Sequence, residues 1–260
     1  MKRGILCSLL AAALLALPAQ AARTVPVQVD GQLLTVRGTL ESGVTYIPLR
    51  TLLDTLGGWS VWWDSAEKEA VAVSDDVRLT ANPEENTVTV DGQIYHGQVY
   101  VKSGRTYVPL RLTMNLLGGS AAWDPWLGGA AATSRDASHD AADLYWLSRV
   151  ISAESRGESL HGQIAVGNVV LNRLESPDFP NTIPGVIFDQ VDGVQFEPVK
   201  NGTVYDTPTA QSVEAARRAL DGENVIGDAL YFYAPALSQG VWINANRTYA
   251  QTIGCHRFYL

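Results

Sequence analysis

One carboxylate stands out by its surroundings. Residues 150–173 read VISAESRGESLHGQIAVGNVVLNR. Glu154 closes one apolar-periodic stretch, Ser155-Arg156-Gly157 breaks it, and a second long amphipathic stretch follows. A glutamate delivered by a helix to a break between helices is held rigidly, as a general acid at a cleft floor must be. In a partly apolar cleft its pKa rises, so it stays protonated near neutral pH and can protonate the bridging oxygen of a glycosidic bond. Ordinary glycoside hydrolysis adds a second carboxylate to activate water or attack the sugar. Glu158 would share the face of Glu154 in a continuous helix, four residues on, but Gly157 interrupts it. Glu158 reads either as a carboxylate tuning Glu154 or, by preference, as a helix-start residue meeting backbone amides.

The elements that position these groups are legible around them. Residues 143–153 carry apolar side chains at Leu144, Leu147, Val150 and Ile151, a helical spacing. The pattern resumes over residues 160–174 through Ile164, Val166, Val169, Val170 and Leu171. Pro177, Pro180 and Pro184 mark a long loop, with a short element over 182–188. Residues 194–204 suggest a hairpin around Asn201-Gly202. Residues 208–220 form an amphipathic helix closed by Asp221-Gly222, and residues 229–233 a strand. Asn168 and Asn172, four apart on one helix, are expected to bond loop backbone.

The front half repeats itself. Val29-Asp30-Gly31-Gln32 recurs as Val90-Asp91-Gly92-Gln93, and Thr45-Tyr46-Ile47-Pro48-Leu49-Arg50 as Thr106-Tyr107-Val108-Pro109-Leu110-Arg111. Gly57-Gly58 recurs as Gly118-Gly119 and Trp63-Asp64 as Trp123-Asp124. Ordered matches of this kind signal a duplication. Asp-Gly between alternating apolar residues predicts a hairpin, and proline leads a strand into a short helix over 49–56 or 110–117 that stops at Gly-Gly. Each unit is ββαβ-like, and the two are expected to share a sheet. Trp59, Trp62, Trp63, Trp123 and Trp126 are candidates to stack on sugars in a wall- or partner-binding module, but at strand spacing most are expected to be buried. Residues 127–141 read as a last repeat strand and a short flexible linker.

Composition bounds the rest. The chain has 260 residues and a formal charge of −8. It opens with Lys2 and Arg3, an apolar run over residues 9–17 and the small-residue signal Ala19-Gln20-Ala21. This reads as a secretory signal peptide cleaved after Ala21, and no later segment is long and apolar enough to span a bilayer. Cleavage removes two cations and leaves an acidic exported protein, a poor match to nucleic acid. Only Cys255 then remains, so no internal disulfide is expected. The apolar content, 46%, is enough for cores that stand without one.

Two resemblances follow from these motifs. The repeats resemble the small copper amine oxidase N-terminal, stalk-type domain, an accessory module of exported bacterial proteins. They contain one histidine, His96, and no cluster to hold copper. The back half resembles the spore cortex-lytic enzyme family of bacterial cell wall hydrolases. That resemblance rests on Ala153-Glu154-Ser155-Arg156-Gly157-Glu158, on Gly162-Gln163 through Asn172-Arg173, and on Phe179-Pro180-Asn181-Thr182-Ile183. Gln195-Phe196, Ala229-Leu230-Tyr231-Phe232-Tyr233 and Ile253-Gly254 with His256 and Phe258 complete it. It implies a lysozyme-like, transglycosylase-related fold that cuts peptidoglycan glycan strands, with Glu154 as catalytic acid and then base.

The expected architecture is therefore α+β. Residues 1–21 form a signal peptide, 22–134 the tandem stalk-type repeat domain, 135–142 a linker and 143–260 a mainly helical catalytic domain. Glu158, Gln195, Phe196, Tyr233, Trp242 and His256 are candidates to line the sugar groove, aromatic faces stacking on pyranose rings and amides meeting N-acetyl groups. Arg156 is a candidate salt-bridge partner for its loop. No metal or organic cofactor is implied. Peptidoglycan of wall or spore cortex is the expected partner, with a wall-associated accessory protein as a further one. Competing classes are a zinc-dependent muramoyl-alanine amidase, which the two histidines His161 and His256 serve poorly, and a non-catalytic wall-binding scaffold.

Overall fold

The computed structural model describes residues 21–191 and 193–260. The expected signal peptide lies outside the described residues, save Ala21. The first repeat comprises β1 (Arg23–Val25), β2 (Val27–Val29), β3 (Gln32–Leu33), β4 (Gly38–Glu41), β5 (Val44–Pro48), α1 (Leu49–Leu56), β6 (Ser60–Asp64) and β7 (Glu69–Val73). The second comprises β8 (Arg78–Asn82), β9 (Thr87–Val90), β10 (Gln93–His96), β11 (Tyr100–Lys102), β12 (Arg105–Pro109), α2 (Leu110–Leu116), β13 (Ser120–Asp124) and β14 (Gly129–Thr133). Asp30-Gly31 and Asp91-Gly92 all adopt positive φ, the conformation that turns a two-residue hairpin with the natural strand twist.

The repeats share a sheet, ordered β1-β4-β5-β12-β11. The central pair β5 and β12 is antiparallel, with Tyr107 opposite Pro48 and Pro109 opposite Tyr46. This reciprocal register makes the module a pseudo-twofold pair. Its core draws Ile47, Leu52 and Leu53 from one repeat and Val108, Leu110 and Met114 from the other. The tryptophans depart from expectation. Trp62, Trp63, Trp123 and Trp126 are 43%, 45%, 38% and 37% exposed; of the five, Trp59 is the one packed on this core. For Trp62, Trp63 and Trp123 the reason is topological. β6 and β13 each lie at the end of a sheet, where one side of the strand has no neighbour.

The back half is mainly helical: α3 (Ala141–Ser155), α4 (Leu160–Glu175), α5 (Ile183–Ile187), α6 (Glu197–Asn201), α7 (Ala210–Leu220) and α8 (Val241–Asn246). A small sheet adds β15 (Tyr231–Tyr233), β16 (Tyr249–Ile253) and β17 (His256–Tyr259), with β17 central. The hairpin expected over 194–204 does not form. Pro198 sits in the first turn of α6, where its missing N–H is not needed, and Gly202 at φ 84° ends the helix in the left-handed region.

α3 is the central rod of this half. It is buried nearly all round from Leu144 to Ser152, as a helix packed on every side must be. Two of its serines are satisfied within the helix: the hydroxyls of Ser148 and Ser155 donate to the carbonyls of Tyr145 and Ile151 at 3.1 and 2.7 Å. Asp140 caps the start by accepting from the amides of Ala142 and Asp143.

The two halves are joined through the second repeat. The buried indole N–H of Trp146 on α3 donates to Asp124 Oδ2 at 2.7 Å. Trp126 stacks on Phe188 at 5.8 Å, and Phe188 meets the Trp146 ring edge-on at 4.9 Å. The segment expected to be a flexible linker is tied down. Ser134 N donates to Asp30 Oδ1 at 2.7 Å, and His139 meets Asp221 at 3.2 Å.

Asp64 and Asp124 are repeat counterparts, each accepting two turn amides through Oδ1. Only Asp124 also receives an indole from α3. Asp124→Ala strands a buried N–H and is expected to cost about 1–3 kcal/mol of stability, clearly more than Asp64→Ala. Chemical unfolding of both variants measures the difference, and equal losses would contradict the role assigned to Asp124.

Candidate active site

Glu154 occupies the last turn of α3. The helix ends at Ser155, the chain turns through Arg156 and Gly157, and Ser159 caps α4 by accepting from Gly162 N at 3.2 Å. Protein packed around the Glu154 carboxyl strips its water and lifts its pKa from 4.5 to about 7. The charge of Glu197, on the first turn of α6, adds to the rise. The carbonyl end of α3 lies beside Glu154, and its partial negative charge acts in the same direction.

Glu197 is the residue that sequence reasoning missed, because its segment read as a hairpin. Its position is held indirectly. Arg173 is buried on α4; its Nε donates to the Leu230 carbonyl at 2.8 Å and its Nη1 to Gln195 Oε1 at 3.1 Å. Burial lowers its pKa to about 10, an effect that Tyr231 and Asp189 oppose. The guanidinium lies over Phe179 at 4.8 Å and over Phe196 and Tyr231 at 5.4 Å. Arg173 therefore anchors the segment that starts α6 and carries Glu197.

The other predicted residues separate into groups. Phe196 is 1% exposed and belongs to the core, so it offers no face to a sugar. Tyr233 is also buried; Asn244 Nδ2 donates to its hydroxyl at 3.0 Å. His256 is buried against the Phe232 ring at 5.3 Å, with Nδ1 unpartnered. These three are corrections: Phe196 and His256 pack inside, and the Tyr233 ring is covered within the β15–β17 sheet with its hydroxyl bonded to Asn244. The amide of Gln195 is used within the protein, its Nε2 donating to the Gly193 carbonyl at 3.1 Å. Trp242 is exposed and lies beside Tyr231 at 6.1 Å, with Arg247 over both rings. Arg156 donates to the Ser152 carbonyl at 3.3 Å in place of the expected salt bridge. Asn168 and Asn172 bond loop backbone at Glu223, Val225, Gly227 and Ala229, as their spacing suggested.

Glu158 turns away from tuning Glu154. Its Oε2 accepts from Cys255 N at 3.2 Å, and its carbonyl accepts from Gln163 and Gln211. It clamps the α3–α4 turn to the β16–β17 hairpin. Gly254 turns this hairpin at φ 56°, a left-handed conformation that glycine adopts without strain, and it lies against the Glu158 carboxylate. Among the described residues, no group of three or more His, Cys, Asp or Glu side chains is placed to hold a metal ion.

The cell wall hydrolase family profile matches residues 157–259, and the copper amine oxidase N-terminal domain profile matches residues 28–126. The spore cortex-lytic enzyme of Halalkalibacterium halodurans is 36% identical over 127 residues, covering 49% of this chain and 37% of that protein. The cell wall hydrolase CwlJ of Oceanobacillus iheyensis is 31% identical over 103 residues, covering 37% of this chain and 72% of that protein. The chain belongs to the cell wall hydrolase family. It spans 37% and 43% of the length of two spore cortex-lytic enzymes it matches. In structure, the catalytic domain of the germination-specific lytic transglycosylase SleB from Bacillus anthracis is 36% identical, with 47% of this chain and 98% of that one covered at a TM-score of 0.43. Within this cell wall hydrolase the matched span opens at Gly157, so Glu154 stands just before it.

The carboxyl of Glu158 raises the pKa of the Cys255 thiol, through a hydrogen bond and through its charge. Glu158→Ala is expected to lower that pKa and speed alkylation of Cys255 at pH 8, read by peptide mapping. An unchanged rate would place Glu158 elsewhere.

Proposed function

We propose that this chain cleaves peptidoglycan glycan strands between muramoyl and N-acetylglucosamine units, as a lytic transglycosylase acting through Glu154. The observation that carries the reading is one carboxyl group at the end of a buried helix, with a pKa of about 7. The names of the spore cortex-lytic relatives support the spore cortex as the wall layer attacked. No helix among the described residues is long and apolar enough to cross a membrane. Action at the wall or cortex follows from the same relatives, and delivery there is assigned to the signal peptide.

The reaction needs one group that gives a proton and takes one back. Protonated Glu154 donates to the glycosidic oxygen as the muramoyl C1–O bond breaks, and N-acetylglucosamine leaves with a free 4-hydroxyl. The muramoyl C6 hydroxyl then attacks C1, and the Glu154 carboxylate takes its proton. The product is a 1,6-anhydromuramoyl end, no water is consumed, and Glu154 is again the acid. A single carboxyl group can carry both steps only if its pKa sits near working pH, since a group at its ordinary value would be a poor donor. Burial, with the charge of Glu197 adding to it, keeps the pKa high, and Trp242 with Tyr231 offers aromatic faces for sugar rings.

Mass spectrometry of muropeptides released from purified peptidoglycan tests the proposal. The protein is expected to leave anhydromuramoyl ends, and Glu154→Gln to lower the rate by about 10²–10⁴-fold. Reducing muramoyl ends would make the enzyme a hydrolase; free peptides, or equal release by the variant, would overturn the role of Glu154. The acid form of Glu154 is lost as pH rises through about 7. The rate should therefore fall on the alkaline side of that value, and Glu197→Gln should move this limb to lower pH.

A further inference from the structure

The repeat module holds two cavities related by its pseudo-twofold axis. One, of about 510 Å³, sets Arg50 and Trp63 of the first repeat against Gly104 and Thr106 of the second. The other, of about 420 Å³, sets Arg111 and Trp123 of the second repeat against Gly43 and Thr45 of the first. The same positions, exchanged between repeats, line both. Each arginine also ties its helix to the strand that carries the indole: Arg50 Nη2 donates to the Val61 carbonyl at 2.6 Å and Arg111 Nε to the Ala121 carbonyl at 2.9 Å. Arg23 lies over the Trp123 ring at 5.6 Å.

Neither indole belongs to the core cluster, and both stay substantially in water. An exposed aromatic wall repeated at equivalent positions has no packing role to explain it. Charge narrows what it meets. In a chain of formal charge −8, one groove sets Arg50 and Arg105 against Asp54, and the other holds Arg111 with no acid. The lining of each groove thus carries a net positive charge. Indole faces favour the flat apolar side of a pyranose ring, while guanidinium and threonine hydroxyl groups suit ring hydroxyls, acetamido groups and carboxylates. Each cavity has the size of a small-ligand site.

We infer that the repeat module is a bivalent glycan-binding unit, in which the Trp63 and Trp123 grooves each hold an acidic amino-sugar strand. The inference rests on the proposal that peptidoglycan is the substrate, and it names a second place where that polymer is held. Two copies of one groove suit a ligand that itself repeats, because the second contact forms at high effective concentration. The grooves are not equal. Trp62 lines the first, and its counterpart in the second is Ala122, so the first binds more tightly.

The test is co-sedimentation of the full chain carrying Glu154→Gln with purified peptidoglycan. Adding Trp63→Ala or Trp123→Ala is expected to weaken binding about tenfold, Trp63→Ala more, and both together about a hundredfold. Trp63→Tyr and Trp123→Tyr, which keep an aromatic face, should stay within about threefold of the parent. Ile94→Ala, an exposed residue outside both grooves, should change nothing. Binding should persist on glycan strands stripped of stem peptides. Undiminished binding by the double alanine variant overturns the inference, as does equal loss in the tyrosine variants or loss on stripped strands. The catalytic proposal fails separately: if the Glu154→Gln chain sediments through these tryptophans while the chain with Glu154 intact releases no anhydromuramoyl ends, the binding unit stands and the transglycosylase falls.

Discussion

A carboxyl group at the end of a helix buried on nearly every side can escape the cost of lost solvation only by staying neutral. That constraint on Glu154 organises the back half of the molecule. α3 must be apolar nearly all round to reach the interior, and its last turn sets the Glu154 carboxyl within reach of the charge on α6. The energetics run against the ionised form. Because the folded pKa lies above the unfolded one, the neutral carboxyl favours the folded state fully below about pH 4.5. That contribution is lost as pH rises through about 7. The site keeps a proton at the expense of stability above neutrality, a compromise common where residues are tuned for chemistry.

The surrounding side chains make that tuning durable. Arg173 reaches Gln195 and so fixes the start of α6, which brings Glu197 toward Glu154. Glu158 holds the other side by clamping the α3–α4 turn to the terminal hairpin. The two glutamates of the Glu154–Glu158 motif thus do different work: one is desolvated, the other is a strut. The front half is attached to the same rod. Asp124 keeps the turn-capping role of its counterpart Asp64 and adds a bond to Trp146, which lies on α3 two turns before Glu154. Duplication supplied two equivalent aspartates, and docking recruited one.

What the sequence disclosed was local. The Asp-Gly hairpins, the helices stopped by Gly-Gly, the break between α3 and α4 and the asparagines bonding loop backbone all follow from short-range patterns. What it concealed depended on distant partners. Asn201-Gly202 has the composition of a hairpin turn, yet Pro198 and the burial of Phe196 make the segment a short helix, and Glu197 was hidden with it. Trp62, Trp63 and Trp123 have strand spacing, but their strands lie at sheet edges, a fact set by how the two repeats pair. Phe196, Tyr233 and His256 sit in motifs that resemble a sugar-cutting family, and packing places them inside.

The most direct measurement is a carbon-13 NMR titration of the Glu154 side-chain carboxyl in the folded protein, assigned by its absence in Glu154→Gln. The account requires a midpoint near 7, well above that of an exposed glutamate. A midpoint near 4.5 would mean that the carboxyl is solvated and ionised at working pH, and the single-carboxyl mechanism would fall with it.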